Sequence, residues 1–421
     1  MVRLRNALFG TEPIVAHCPG PLHEGWHYFA DAVRSTPVVP RLPRESATIL
    51  TWNNGSRPDK PNGLLEQCVG RWGSDVHVLG ADVKPWTNLS KLQLTADALQ
   101  QIGTEYVVGL DSGDVLLVDH PDELVCRFRT HFTCDLLFNS TGARCWPEMP
   151  AFVMFESTRP AADTASGRHW LNAGAFVGRT DFCREYFATL AREAAERDWR
   201  DDQFAIKETW PRWYPRVQID YRCHIFQWFN ESRPILQIER PRADRQRQLI
   251  EWLEPLRPLR FGAEVGVYDG YTSDILLQAF PELHLWMVDP WHTIDQPEEY
   301  ANFDESRFEE LRRIAMWWTS HAEDRRFELR KPSLEASSLF PDASLDFVFI
   351  DADHHYDAVK ADVHAWWPKV RTGGLLSGHD YGVYGDATGA WGVRRAVDEF
   401  AAERGVLPLL GADGTWCIEK Q

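Results

Sequence analysis

Two short acidic motifs with a spacing that can hold a metal ion each follow an apolar run typical of a buried strand. Asp-Ser-Gly-Asp occupies 111–114 after the apolar run 106–110, and Asp-Ala-Asp-His occupies 351–354 after 345–350. Carboxylates at the carboxyl end of a buried strand lie where open α/β sheets bind their ligands. Because the two motifs lie in different halves of the chain, we expect a two-domain enzyme with two active sites.

A glycine-containing turn and a further strand-end acid precede the second motif. The first strand of this half contains Glu264 and runs into a turn with Gly266, Tyr268 and Gly270, and the next strand ends at Asp289. Glycine lets the backbone turn tightly and approach a ligand closely before a helix begins. A carboxylate at the end of the next strand can accept hydrogen bonds from both hydroxyls of a ribose. The alternative, a nicotinamide-binding domain, fits the glycine spacing poorly.

Two motifs near the end of the chain indicate more closely which kind of ligand-binding domain the second half forms. Segments 350–356 (Ile-Asp-Ala-Asp-His-His-Tyr) and 373–381 (Gly-Gly-Leu-Leu-Ser-Gly-His-Asp-Tyr), taken with the glycine turn, resemble class I S-adenosylmethionine-dependent methyltransferases. Within that class they look like the metal-dependent sugar and small-molecule O-methyltransferases related to macrocin O-methyltransferase and the cephalosporin hydroxylase group. The resemblance spans roughly 260–419 and implies S-adenosylmethionine as methyl donor, with the donor-binding residues Glu264, Gly266, Tyr268, Gly270, Asp289 and Ser333.

The same resemblance implies a divalent cation such as Mg²⁺ bound by Asp351, His379 and Asp380. The family often has Glu-Asp or Asp-Asn at the last two positions, so His379 is a departure that either binds through nitrogen or leaves its position to water. A cation chelated by two substrate hydroxyls lowers a hydroxyl pKa and fixes one oxygen in line with the sulfonium methyl group. His354 is then the expected base, unless it is a surface histidine at a helix start. Asp353 is expected to cap that helix.

The acid motif of the first half is a weak signal alone, because such acids also cap helices and turns. It gains weight from its order along the chain with Lys91, Trp146, Asn172 and the pair Asp201-Asp202. In this order the set resembles the glycosyltransferase domain of the procollagen lysyl hydroxylase/galactosyltransferase group. That domain has a GT-A fold and uses a UDP-sugar and Mn²⁺. The resemblance covers about 47–229.

This second resemblance assigns roles to the polar residues of the first half. A divalent ion held by Asp111 and Asp114 would neutralise the donor diphosphate and stabilise the leaving group. Lys91 would add a point charge. The sugar and acceptor would be contacted by four side chains, of which Asp202 is the expected catalytic group: Trp146, Asn172, Asp201 and Asp202. Plain helix N-capping is the alternative for the aspartate pair.

One part of the glycosyltransferase pattern is out of place. In the family, a closing segment with a metal-binding histidine follows the Phe-Gln strand, whereas here a similar segment occupies 3–23. We therefore predict a circular permutation with His17 as the third metal ligand, which neighbouring chain ends would tolerate. Pro19 replaces an asparagine of the family, which weakens contacts to the diphosphate. His224, beside the Phe-Gln strand, is the alternative ligand, and an ordinary loop role is the alternative for His17.

Alternating strands and helices provide the framework for both sites. The first half is predicted to contain strands 47–52, 75–79, 105–110, 134–139 and 170–177 and helices 92–102, 122–131, 181–196 and 201–210. The second half is predicted to contain strands 261–267, 284–288, 327–330, 345–350, 374–377 and 415–419 and helices 271–280, 305–319, 356–367 and 393–404. This alternation predicts an α/β protein with mostly parallel sheets covered on both faces. The domains would be a GT-A domain at 1–235 with its closing segment at 1–36, a linker at 236–257, and a doubly wound, Rossmann-like methyltransferase domain at 258–421.

Length and composition agree with this division and limit the partners. At 421 residues the chain is long enough for two domains, and its net charge of −17 argues against broad binding to nucleic acid. The eight cysteines show no metal-binding spacing, so we expect reduced thiols. The sequence has no apolar run of membrane-spanning length and no secretory-type apolar region, so a cytoplasmic protein is expected.

These expectations combine into a bifunctional enzyme. One domain would transfer a hexose from a UDP-sugar to a hydroxyl acceptor on a glycan, a natural product or a protein. The other would methylate a hydroxyl, with that sugar as the expected substrate. The alternative is a metal-dependent O-methyltransferase that carries an inactive sugar-binding GT-A domain.

Overall fold

Two units of the chain each fold around a central β-sheet. The computed structural model divides at residue 240 into Met1–Arg240 and Pro241–Gln421. It describes residues 1–56, 60–142, 144–159, 169–199, 201–229, 235–293, 303–382 and 391–421. In this part of the chain no helix combines the length and apolar character needed to cross a membrane.

The first unit is built from short strands and amphipathic helices. Its strands are β1 Arg3–Asn6, β2 Val15–His17, β3 Ala47–Trp52, β4 His77–Leu79, β5 Tyr106–Asp111, β6 Val115–Leu117, β7 Leu136–Thr141, β8 Trp170–Arg179, β9 Val217–Ile219, β10 Phe226–Trp228 and β11 Leu236–Glu239. Its helices are α1 Glu24–Ser35, α2 Leu64–Arg71, α3 Ser90–Leu99, α4 Asp122–His131, α5 Pro150–Thr158, α6 Thr180–Glu196 and α7 Asp202–Trp213.

A six-stranded mixed sheet in the order β4-β3-β5-β8-β7-β9 forms the centre of the first unit. Strands β3, β4 and β5 are parallel, and β8 runs antiparallel to both of its neighbours. The apolar side chains of α3, α6 and α7 pack on this sheet, with Phe138, Phe176, Tyr186 and Trp210 buried between them. The continuous apolar run of β5 is what a strand covered on both faces requires.

The two ends of the first unit lie side by side. Strand β1 pairs antiparallel with β11, with Arg3 opposite Glu239. Strand β2 is the central strand of a small sheet with the order β10-β2-β6. The segment that carries His17 is therefore held between the Phe-Gln strand β10 and the strand that follows the first acid motif.

The second unit alternates strands and helices regularly. Its strands are β12 Phe261–Val265, β13 His284–Val288, β14 Arg326–Leu329, β15 Leu345–Ile350, β16 Val370–Gly378, β17 Leu409–Leu410 and β18 Trp416–Glu419. Its helices are α8 Asp244–Leu253, α9 Tyr271–Ala279, α10 Glu305–Trp318, α11 Ser333–Ser337, α12 Tyr356–Trp366 and α13 Val393–Glu403.

The seven strands of the second unit form one sheet in the order β14-β13-β12-β15-β16-β18-β17. The first five are parallel, and β18 and β17 are antiparallel to their neighbours. Separate cores cover the two faces, one containing Val363 and Phe400 and the other containing Leu249 and Leu276. All parallel strands thus present their carboxyl ends at one edge, where ligands bind in such sheets.

The α/β class predicted from the alternating pattern is confirmed, and the differences lie in short elements. Helix α1 was not predicted, although Trp26, Phe29, Ala30 and Val33 follow helical spacing and are buried. Strands of three residues, such as β2 and β10, carry too little pattern to be recognised from sequence. The predicted linker 236–257 consists instead of β11 in the first unit and α8 in the second, because both elements bury apolar side chains.

Candidate active sites

Three side chains of the first unit form a cluster that could hold a metal ion. His17 at the end of β2, Asp111 at the end of β5 and Asp114 in the following turn place one ligand atom each within 4.8 Å of the others. His17 and Asp114 are buried, and Asp111 is half-buried. One imidazole and two carboxylates are ligands that suit Mn²⁺ and Mg²⁺.

The His17 side chain is oriented for coordination. The Asn139 side-chain amide lies 2.9 Å from Nδ1, whereas Nε2 has no hydrogen-bond partner among the described residues. Burial outweighs the nearby Asp114 and Asp111 charges and holds the pKa of His17 below its ordinary value. The atom nearest Nδ1 is Asn139 Nδ2, and the buried Oδ1 has no hydrogen-bond partner among the described residues. Exchanging these two amide atoms lets Oδ1 accept a hydrogen bond from Nδ1–H, which leaves the Nε2 lone pair facing the carboxylates.

A bulge in β8 makes room for this cluster. The pairing of β7 with β8 shifts register after Phe138, so that Asn139 lies opposite Asn172. Asn172 Oδ1 accepts a hydrogen bond from Gly174 N at 3.0 Å, which shapes the bulge. A Cβ on Gly174 would lie 2.4 Å from His17 Cε1 and 2.6 Å from Asp111 Oδ2. The cluster therefore fits only against a glycine.

Two lysines balance the carboxylates of the first cluster. Lys91 Nζ donates to Asp111 Oδ1 at 2.5 Å and lies 3.9 Å from Asp202 Oδ2. Lys60 forms an ion pair with Asp114. Burial acts to raise the pKa of Asp111, but the charges of Lys91 and His17 outweigh it, and the pKa lies below its ordinary value.

Asp202 differs from Asp111, because burial outweighs the effect of the lysine beside it. Burial raises the pKa of Asp202 to about 6, although Lys91 opposes the shift. A carboxyl group with such a pKa can accept a proton at neutral pH. Asp201 has a structural role: its side chain caps α7 by accepting a hydrogen bond from Phe204 N at 2.9 Å.

The remaining predicted residues of the first unit lie at its surface or apart from the cluster. Trp146 is 56% exposed, and its carbonyl oxygen accepts a hydrogen bond from Gln203. His224, the alternative ligand, stacks on His131 with ring centroids 4.3 Å apart and is not part of the cluster. The cavity beside the cluster is lined by Lys60, Lys91 and both acids of the motif, and measures about 60 Å³.

A much larger cavity, of about 920 Å³, opens at the carboxyl edge of the second sheet. Five of the six residues predicted to bind the methyl donor line it, namely Glu264, Gly266, Tyr268, Asp289 and Ser333. Gly270 does not line it. It precedes α9 with φ +76°, and a Cβ there would lie 2.8 Å from Ala315 Cα, so its role is close packing against α10.

The glycine turn of the second unit is fixed by hydrogen bonds to the Asp289 carboxylate. Asp289 Oδ2 accepts hydrogen bonds from Val267 N at 2.9 Å and Tyr268 N at 3.0 Å. Gly266 has φ +87°, and a Cβ there would lie 2.0 Å from the carbonyl oxygen of Asp351. This close approach is possible only for glycine.

Burial shifts two acids of the cavity toward their protonated forms. Burial raises the pKa of Glu264 to about 8, against the hydrogen bond that it accepts from Ser273. Burial likewise raises the pKa of Asp362 to about 7. Ser333 Oγ donates to Asp362 Oδ1 at 2.5 Å and accepts from Trp366 Nε1 at 2.9 Å, so the predicted donor-binding serine is part of a buried network.

The second metal-compatible cluster consists of Asp351, His354 and Asp380, with one ligand atom each within 4.8 Å of the others. His354, predicted as the base, lies 3.0 Å through Nε2 from Asp380 Oδ2. His379, predicted as a ligand, lies beside this cluster, with Nδ1 2.9 Å from Asp380 Oδ2 and Nε2 3.5 Å from Asp413. The structure thus brings both histidines to Asp380 and differs from the sequence in placing His354 within the donor set.

Three residues near the clusters were not singled out by sequence reasoning. Lys60 and Asn139 contact the first cluster, and Arg245 on α8 forms an ion pair with Asp351 of the second. Lys60 and Arg245 are far in sequence from the acids that they contact, so no local pattern marks them. Asn139 is the last residue of the predicted strand 134–139, and this strand-end position is the one signal that could have identified it.

With two transferase-type folds and two candidate centres described, comparison with known proteins defines the class. The protein is an enzyme with a glycosyltransferase-like unit and a methyltransferase unit. Residues 66–251 match the family model described as the PLOD GT domain, and residues 263–381 match a methyltransferase domain. The segment with His17 lies before the first match. Helix α8 begins after the end of the first unit and ends before the second match begins.

Curated relatives are short local matches. An uncharacterized protein of Sinorhizobium fredii is 32% identical over 147 residues, which is 33% of this chain and 15% of that protein. An uncharacterized protein of Acanthamoeba polyphaga mimivirus is 28% identical over 135 residues, which is 31% of this chain and 26% of that protein. The chain therefore covers about a quarter or less of the length of the curated relatives that it matches.

Solved structures similar to part of the chain include O-methyltransferases. The Streptomyces achromogenes enzyme TomG, solved in complex with S-adenosylmethionine, is 18% identical and has a TM-score of 0.31, with 43% of this chain and 82% of that chain covered. An O-methyltransferase of Bacillus cereus, in complex with S-adenosylhomocysteine, is 20% identical with a TM-score of 0.32, with 43% and 83% covered.

Proposed function

We propose that the chain is a bifunctional enzyme that transfers a hexose from a UDP-sugar to a hydroxyl acceptor and methylates a hydroxyl with S-adenosylmethionine. The observation that carries this proposal is the presence of one carboxylate–histidine cluster in each unit, each beside a cavity. The acceptor would be a hydroxyl on a glycan, a natural product or a protein. The sugar that the first unit attaches is the proposed substrate of the second.

Sugar transfer would take place beside His17, Asp111 and Asp114. A Mn²⁺ ion held by these three residues would neutralise the diphosphate. Lys91 adds a positive charge on the same side, since it lies on Asp111. The acceptor oxygen forms the bond to the anomeric carbon, the bond from that carbon to the diphosphate breaks with its electron pair going to UDP, and Asp202 takes the acceptor proton.

Methyl transfer would take place beside Asp351, His354 and Asp380. A Mg²⁺ or other divalent ion held there would fix the substrate hydroxyl and make it more acidic. The hydroxyl oxygen forms the bond to the methyl carbon, and the carbon–sulfur bond breaks with its electron pair going to sulfur. Of the two histidines at Asp380, the one that does not coordinate the ion is the proposed proton acceptor, and His379 also faces Asp413.

The position of His17 supports a circular permutation of the first unit. Its segment, within 1–36, lies parallel to β10 and beside the first acid motif, and β1 pairs with β11 at the end of the unit. We propose that this segment is the displaced closing segment of the glycosyltransferase domain, which would then extend over 1–235. His17 rather than His224 is the proposed third ligand.

One observation favours the alternative of an inactive, sugar-binding first unit. The cavity at its cluster measures about 60 Å³, whereas the cavity of the second unit measures about 920 Å³. A UDP-sugar needs several hundred Å³, which is the usual size of a ligand pocket. Activity of the first unit therefore requires this cavity to widen, for which release of Lys60 from Asp114 is the nearest available change.

UDP release tests the proposal against this alternative. The purified protein is incubated with Mn²⁺ and each of a panel of UDP-sugars, with Asp111→Ala as the matched control. Release that depends on one sugar and on Asp111 supports the transferase and names the donor. Binding of a UDP-sugar without release by either protein supports the inactive sugar-binding domain.

The order of the two reactions is tested with the acceptor that this assay identifies. We expect methyl transfer to the acceptor only when the UDP-sugar is present, because the attached sugar carries the methylated hydroxyl. Transfer of labelled methyl groups from S-adenosylmethionine is measured with and without the UDP-sugar. An equal rate in both reactions would contradict the shared substrate.

A further inference from the structure

An arginine from outside the matched methyltransferase region reaches into the cavity of the second unit. Arg245 lies in the first turn of α8, before the match at 263–381 begins. It lines the cavity together with Glu264 and Asp351. Arg245 falls within the glycosyltransferase match at 66–251, but α8 belongs to the second unit, so the methyltransferase match gives this residue no role.

Helix α8 is a fixed part of the second unit. Leu249 and Leu253 are fully buried in the core. The buried Gln246 donates from Nε2 to Thr272 Oγ1 of α9 at 3.0 Å. Arg245 is therefore presented to the cavity by packed structure.

The Arg245 guanidinium is paired on one side only. Nη1 forms an ion pair with Asp351 Oδ2. The Nε atom is buried and has no hydrogen-bond partner in the part of the chain that the structure describes. A buried donor without a partner is costly, so an acceptor supplied by a ligand would stabilise this group.

The positive charge of Arg245 distinguishes it from most of the side chains that line the cavity. Among the described residues that line it, the lysines and arginines are Arg245 and Lys331. Lys331 pairs with Glu335 at 3.5 Å, near the Ser333 end. Arg245 instead contacts Asp351 of the metal-compatible cluster, and its charge acts on Glu264.

We propose that Arg245 binds the α-carboxylate of the methyl donor and exchanges Asp351 for that carboxylate when a divalent cation occupies the cluster. The proposal rests on the methyltransferase function proposed above. If the ribose of the donor lies on Asp289 and its sulfonium faces the cluster, the amino-acid end falls between Glu264 and Arg245. A guanidinium matches the carboxylate end of an amino acid.

The exchange couples metal binding to donor binding. A cation bound to Asp351 repels the adjacent Arg245 guanidinium and neutralises the carboxylate charge that attracts it. Arg245 is then available to bind the methyl donor. When the donor binds Arg245, this residue no longer competes with the cation for Asp351. By linkage, each ligand raises the affinity of the other by the same factor.

Calorimetric binding of two ligands that differ at the amino-acid end tests the proposal. S-adenosylhomocysteine carries the carboxylate, and 5′-methylthioadenosine lacks it. Both are titrated with and without Mg²⁺, in full-length protein carrying Asp111→Ala so that the first cluster does not contribute. We expect Mg²⁺ to raise the affinity for S-adenosylhomocysteine about tenfold, or 1.4 kcal/mol, and to leave that for 5′-methylthioadenosine unchanged.

Arg245→Gln isolates the residue, and Arg247→Gln on the exposed face of the same helix is its control. We expect Arg245→Gln to weaken S-adenosylhomocysteine about tenfold in Mg²⁺, to abolish the coupling and to leave 5′-methylthioadenosine binding unchanged. Without any nucleoside, it should bind Mg²⁺ severalfold more tightly, because Arg245 no longer competes for Asp351. Arg247→Gln should change none of these affinities.

The two possible failures are distinguishable. Equal weakening of both nucleosides, or unchanged S-adenosylhomocysteine affinity in Arg245→Gln, would overturn the role of Arg245. Persistent coupling in that variant would overturn the exchange. Failure of both nucleosides to bind the Arg245-containing protein would instead contradict the methyltransferase function itself.

Discussion

The two clusters use the same ligand types, but the structure around them differs. Each combines two carboxylates and an imidazole at the carboxyl end of a buried strand. The first cluster has a lysine on each carboxylate, Lys91 on Asp111 and Lys60 on Asp114, whereas the second has Arg245 on Asp351. The first cluster is closed against Gly174, whereas the second faces a large cavity. The comparison shows that similar donor sets can arise on different sheets, and that the surrounding space decides which ligand can join them.

Each paired cation offsets the charge of the carboxylate that it contacts. A carboxylate buried without compensation is costly, so an internal lysine or arginine stabilises it. The same cation must move or share its partner when a divalent ion binds. We therefore expect both sites to change their ion pairs on metal binding, to an extent set by the cavity beside them.

Replacing one proposed metal-ligating acid in each unit should have the largest effect and should separate the two activities. Asp351→Ala should lower methyl transfer about 10³-fold and spare sugar transfer, and Asp111→Ala should do the reverse, because each removes several kcal/mol of charge stabilisation. Both activities are measured on both variants, with the exposed Asp342→Ala and Asp181→Ala as controls. Loss of both activities in either variant would indicate one shared site.

A methyl group added inside the first cluster should weaken metal binding in the first unit alone. Gly174→Ala places a Cβ 2.4 Å from His17 Cε1, so we expect about 10²-fold weaker Mn²⁺ binding in the first unit. Gly103→Ala is the control, since nothing lies within 4 Å of its added carbon. Calorimetric Mn²⁺ titration in an Asp351→Ala background measures the effect. Unchanged affinity would mean that the ion binds elsewhere.

The pH dependence of stability should distinguish the second unit through Glu264. Its pKa is about 8 in the folded chain and near 4.5 when unfolded, so the folded state binds more protons between these values. The free energy of unfolding should therefore fall as pH rises through this window, by up to about 1.4 kcal/mol per pH unit. Glu264→Gln removes this contribution, and urea unfolding at pH 5.5 and 7.5 measures it. Equal slopes in the two proteins would show that Glu264 is ionised in the folded state.

The smallest expected effect compares one helix cap in each unit. Asp201 caps α7 and Asp304 caps α10, each accepting a backbone hydrogen bond at 2.9 Å. Each Asp→Ala change should cost about 1 kcal/mol of stability, measured by urea unfolding. Sugar transfer by Asp201→Ala should equal that of Asp304→Ala. A further loss specific to Asp201→Ala would assign it a substrate contact.

Local sequence patterns predicted the parts of each site that depend on strand ends. Asp111 and Asp351 follow apolar runs, and the sheets place them at their carboxyl edges as expected. The order of the longer elements in the second unit was equally readable, because each is long enough to show its period, whereas the two-residue β17 and the five-residue α11 were not predicted.

Contacts made over long sequence distances were not readable. Gly174 reaches the first cluster through a bulge, and bulges leave no period in the sequence. Lys60 and Arg245 meet their acids only through tertiary packing. The places of His354 and His379 depend on side-chain geometry around Asp380, which has a positive φ of 59°. Sequence spacing alone does not tell which of the two histidines coordinates the ion and which accepts the proton.

Anomalous scattering from crystals grown with Mn²⁺ tests the central claim most directly, because it locates each ion without a substrate. We predict two peaks, one among His17, Asp111 and Asp114 and one among Asp351, His354 and Asp380. Asp111→Ala should lose the first peak and Asp351→Ala the second. Peaks at neither cluster under saturating Mn²⁺ would contradict the assignment of two metal centres.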